Sequence, residues 1–125
     1  MCNNCFNTIE EIEDTVNAID ETLQNTTCLC CRHFYTFVKA TYLDFKIICH
    51  LKIRKHEQVS PNALRSLNRL ERRTRRKVED RLLHAMEILD NKKNEFIAEN
   101  TYLIKENELK KLYDYLCYLD EADNR

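Results

Sequence analysis

Glycine is absent from this chain of 125 residues, and proline occurs once, at Pro61. Each absence removes possibilities. Without glycine the turns fall to Asn, Asp and Thr, whereas β-hairpins lean on residues that tolerate positive φ. Long helices with few turns are therefore favoured. Phosphate-cradling loops, dinucleotide-binding turns and the hydrolase nucleophile elbow all need glycine where backbone closely approaches ligand, so none exists here in standard form. No uninterrupted apolar run approaches the ~18 residues of a membrane span. No basic segment followed by an apolar run opens the chain, and an intracellular protein, cytoplasmic or nuclear, is expected.

What is present is globular composition, with 33% charged and 43% apolar residues, suited to a single helical domain over 1–125. Net charge is −1, but it is distributed in blocks. Residues 1–50 carry a net −4, residues 51–93 a net +7 and residues 94–125 a net −4. A chain so divided can neutralise itself on folding or on meeting a partner.

The stretch Ser60–Asp90 is the axis of the chain. Ser60 is suited to accept an amide hydrogen bond as an N-cap, and Pro61 fits the first helical position, where no N–H is needed. At about 100° per residue, Leu64, Leu67, Val78, Leu82, Ala85 and Leu89 share one side. Glu71 and Thr74 interrupt that stripe, and Arg65, Arg69, Arg72 and Arg76 line the opposite side.

Upstream, Thr8 and Glu11 form a capping box ahead of Ile9, Ile12, Val16, Ile19 and Leu23, which predicts a helix over about 8–25. Residues 28–57 are rich in aromatic and β-branched types. Leu43, Phe45, Ile47, Cys49, Leu51 and Ile53 alternate with polar residues as in a strand, yet a lone strand would leave its backbone groups unpaired. A mostly buried helix over about 32–56 is favoured, with a β-hairpin within 26–54 as the alternative. A break at 90–94 precedes a last helix over about 95–121. The expected fold is all-α: about four long helices in an antiparallel bundle or helical oligomer. Residues 1–57 would form a Cys-rich helical hairpin, and residues 58–125 the long basic helix and an acidic C-terminal one.

Seven cysteines without a secretory leader suggest thiols or metal ligands more than disulfides. Cys2-x-x-Cys5 and Cys28-x-x-Cys31 resemble a four-thiolate zinc site, but the helix between them separates the pairs by roughly 25 Å. A returning second helix would instead bring Cys49 or His50 to Cys2 and Cys5. A separate group at the far end would hold Cys28, Cys30, Cys31 and His33. A structural zinc at either end is one reading, and small buried apolar thiols are the other. Cys117, between Leu116 and Tyr118, is expected in or near the core.

Arg65, Arg69, Arg72, Arg73, Arg75, Arg76 and Lys77 concentrate positive charge on the central helix, with Arg81 beyond. Such a ridge suits a phosphate backbone or an acidic helix. The near-neutral total favours a protein partner or self-association over nucleic acid, and no small-molecule substrate is indicated. For nucleophilic chemistry the Cys/His neighbours Cys31–His33 and Cys49–His50 lack any glycine loop to donate to an oxyanion. The sequence thus points to a non-enzymatic interaction or assembly subunit, with a nucleic-acid-binding module as the alternative.

Overall fold

The computed structural model describes residues 3–123, and the side chains of residues 8–119. Among the described residues five helices follow one another: α1 (Asn3–Asn25), α2 (Leu29–Lys55), α3 (Pro61–Asn91), α4 (Lys93–Ala98) and α5 (Tyr102–Asp123). No strand occurs among the described residues. The all-helical class holds, while the β-hairpin alternative gives way to the unbroken α2. The expected last helix is two helices, one of them short. The chain divides into two compact units, Met1–Arg76 and Lys77–Arg125.

In the first unit α1 begins at Asn3, so Thr8 is not its cap but a residue 5% exposed within the helix. Ile9, Ile12 and Ile19 of the predicted stripe are buried. From α2, Val38, Tyr42, Phe45, Ile48 and Cys49 are buried as well, at the spacings of three and four that a helix requires. Period two fails directly: Leu43 and Ile47 are 40% and 47% exposed while Phe45 is fully buried. The helix is therefore amphipathic and not apolar all round.

α1 and α2 pack against each other. Lys39 Nζ lies 2.7 Å from Asp20, and Lys46 Nζ 3.1 Å from Glu13. One helix gains seven residues between these bridges as the other loses seven, which makes the pair antiparallel. The Arg32 guanidinium donates to the Leu23 and Thr26 carbonyls at 2.6 and 3.0 Å. It thereby satisfies acceptors that the end of α1 would otherwise leave open. At the start of α3 the Ala63 amide donates to Ser60 Oγ at 3.2 Å, the N-cap predicted from sequence.

The α3 stripe is only partly core. Val78, Leu82 and Leu89 are buried, whereas Leu64 is 38% exposed and Leu67 and Ala85 are half-buried. In the second unit Phe96 of α4 is buried, as are Leu109, Leu112, Leu116 and Leu119 of α5. Cys117 is exposed, a correction that follows from its offset of about 100° from the Leu112–Leu116–Leu119 stripe.

The α4–α5 corner shows how a glycine-free chain turns. Asn100 takes φ 60°. Its amide donates to the Ile97 carbonyl at 3.0 Å, and the Thr101 amide reaches back to that of Phe96 at 2.9 Å. These two bonds define a Schellman end, with asparagine in the place usually given to glycine. Lys105, 4% exposed, has its Nζ 3.2 Å from Thr101 Oγ1 and 4.1 Å from the centre of the Phe96 ring.

Candidate functional site

A helix that buries one arc must show the other to solvent, and α3 shows its arginines. Arg65, Arg69, Arg72, Arg73, Arg76 and Lys77 are exposed, and Arg75 is half-buried. From Arg65 to Arg76 is eleven residue steps, about 16 Å of helix. Among the described residues, Arg65, Arg69, Arg72, Arg73, Arg76 and Lys77 make no side-chain hydrogen bond or ion pair. Like charges at i,i+4, as in Arg65/Arg69 and Arg72/Arg76, weaken an isolated helix by about 0.2–0.5 kcal/mol per pair. The ridge is thus a local cost with no described compensation inside the chain.

The described carboxylates of α1 do not meet it. On α1, Asp20 and Glu13 are engaged by the α2 lysines. Glu10, Asp14 and Glu21 are exposed on the side of α1 away from its buried isoleucines and form no ion pair among the described residues. The sequence allowed neutralisation on folding or on meeting a partner; within the described residues α1 is partly neutralised by lysines of α2.

A second electrostatic feature is buried. Glu71 is 4% exposed and Lys52 3%, so the interruption of the α3 stripe does face inward. Lys55 Nζ lies 2.6 Å from Glu71 Oε2, and Lys52 Nζ 3.3 Å from Oε1. One carboxylate therefore ties α3 to two lysines one helical turn apart on α2. Sequence reasoning placed Glu71 on the core-facing arc but missed its partners. The readable signal was Lys52, which continues the buried α2 positions Phe45, Ile48 and Cys49 at helical spacing.

Among the described residues the thiol and imidazole candidates do not converge. Cys28 and Cys30 are exposed, Cys31 is half-buried and His33 is exposed at the start of α2. Cys49 is fully buried and His50 exposed, so the two point apart. Cys2 lies outside the described residues, and the side chain of Cys5 is likewise not among them. Among the described residues, no three of His, Cys, Asp and Glu form a group able to hold a metal ion. α1 is continuous from Asn3 to Asn25, which keeps Cys5 and Cys28 at its opposite ends.

An open depression of about 440 Å³ lies on α2, lined by Ile47, His50, Leu51, Ile53, Arg54 and Glu57. Arg54 and Glu57 in its wall pair with each other, and all but Glu57 belong to this one helix. In the second unit the Tyr102 hydroxyl donates to Glu106, which lowers the Glu106 carboxyl and raises the Tyr102 phenol; Lys110 lowers Glu106 further. Among the described residues no helix is long and apolar enough to cross a membrane. Comparison with protein-family models, with curated proteins and with solved structures yields no match.

Proposed function

We propose that this protein is a non-enzymatic helical interaction and assembly subunit that presents the α3 guanidinium ridge to an acidic partner surface. One observation carries the reading: Arg65, Arg69, Arg72, Arg73 and Arg76 are exposed and unpaired among the described residues, although the same chain pairs lysines of α2 with carboxylates of α1. Exposed ion pairs are weak singly, about 0–1 kcal/mol, but a row of them selects partners and rejects others. Light scattering of the full chain at micromolar concentration, alone and with candidate acidic partners, tests this. A strict monomer that binds no protein would refute it.

The same exposed row would also suit a phosphate backbone, where guanidinium groups donate in pairs. Binding to a duplex probe would then fall steeply with salt, and replacing Arg69, Arg72, Arg73 and Arg76 by Glu would remove it. The net charge of −1 provides little long-range attraction for a polyanion, which ranks this reading second.

A further inference from the structure

We infer that the acidic partner of the ridge is a second copy of this chain, met through the outer face of α1. The inference rests on the assembly reading above and names the surface that completes it.

Two exposed stripes in the first unit lack partners among the described residues. One is Arg65, Arg69, Arg72 and Arg76 on α3; the other is Glu10, Asp14, Asn17 and Glu21 on α1. Both step by four, three and four residues, and both span eleven, about 16 Å each. Laid side by side, two straight helices therefore match rung for rung. The step pattern reads the same in both directions. Run antiparallel, Arg65 meets Glu21, Arg72 meets Asp14, Arg76 meets Glu10 and Arg69 meets Asn17. Run parallel, three arginines again meet carboxylates and Arg72 meets Asn17. The fourth contact remains polar in either case, since an asparagine amide oxygen accepts from guanidinium.

The opposite faces of these helices explain why the stripes are free. Ile9, Ile12 and Ile19 hold the far side of α1 buried, and Glu71 does so for α3 through Lys52 and Lys55. The stripes are what remains outward. A second copy sets three carboxylates against four arginines, so three of the four contacts cancel charge that the separate chains leave exposed.

Sedimentation equilibrium of the full chain at low salt, across micromolar concentrations, supplies the test. Two variants are prepared: one with Arg65→Glu, Arg69→Glu, Arg72→Glu and Arg76→Glu, the other with Glu10→Lys, Asp14→Lys and Glu21→Lys. Neither set touches a buried residue, and circular dichroism verifies that both stay helical. The unaltered chain self-associates, and each variant alone does so more than about a hundredfold more weakly, because like charges then face each other. Mixed together, the variants associate as the original chain does. That rescue is a gain that a merely misfolded variant would not produce.

Self-association that both swaps leave intact overturns this pairing while the assembly reading stands. A monomeric chain that binds an acidic protein through the ridge overturns the second copy as partner, with the assembly reading intact. A monomeric chain that binds duplex DNA through the ridge overturns both.

Discussion

Glu71, with its two lysines, shows how one side chain can set how two helices pack. A solvent-exposed pair is worth at most about 1 kcal/mol, but removing one partner of a buried ion pair costs about 3–5 kcal/mol, because the remaining charge stays desolvated. Lys52 and Glu71 are each nearly inaccessible, so the buried regime applies. Glu71→Ala should therefore lower stability by about 3–5 kcal/mol in urea titration, a large share of the ~5–15 kcal/mol typical of a domain. Replacing Lys52, Lys55 and Glu71 together by Met, Met and Leu should recover most of that loss. At the same scale, Tyr102 and Glu106 share a hydrogen bond that lowers the carboxyl and raises the phenol. The carboxylate's contribution is present above the ordinary glutamate range and disappears as pH falls through its lowered value. The phenol's contribution is present below its ordinary range and disappears as pH rises through its raised one. Tyr102→Phe should accordingly move the Glu106 titration upward, read by NMR at the side-chain carboxyl.

Among the elements, α2 most clearly separates what a sequence displays from what it withholds. Its alternation between Leu43 and Ile53 fits a strand, and its three-and-four spacing fits a helix; both patterns lie in the same letters. Packing against α1 decides, burying Phe45 and Cys49 and leaving Leu43 and Ile47 outside. Phe45→Ala should cost about 3–5 kcal/mol by denaturant unfolding, whereas Ile47→Lys should stay within about 0.5 kcal/mol. A strand would give both positions the same sensitivity. The Ser60 cap, the α1 stripe and the inward position of Glu71 were legible because each is set within a turn or two of chain. The Lys52 and Lys55 partnership was not, since it joins residues on two helices and needs their register. The α4–α5 corner was also hidden: many asparagines sit in a chain like this, and nothing local marks Asn100 as the one with φ 60°. Asn100→Val should destabilise the second unit by about 1–2 kcal/mol, because a β-branched residue strongly resists left-handed backbone. Thermal unfolding would record it.

At the scale of the whole molecule, near-neutral net charge conceals strong local fields. Residues 51–93 carry a net +7 against −4 on either side; among the described residues, lysines of α2 meet α1, while Arg65, Arg69, Arg72, Arg73 and Arg76 make no ion pair. Charge composition was readable from sequence; which charges cancel was not, because that depends on which helices become neighbours. Association through exposed stripes should weaken as salt rises and the screening length falls below about 8 Å, a trend that sedimentation across an ionic-strength series would record. The two stripes lie on different helices, so each copy carries one donor face and one acceptor face. If the stripes pair between copies as proposed, such a unit is, in the language of polymers, bifunctional and self-complementary. Where the contacts do not close on themselves, mass grows with concentration instead of stopping at a pair. On that pairing, a chain carrying only the Glu10→Lys, Asp14→Lys and Glu21→Lys changes would keep one working face and become an end-cap, so small amounts of it would limit the length of an assembly built through these contacts.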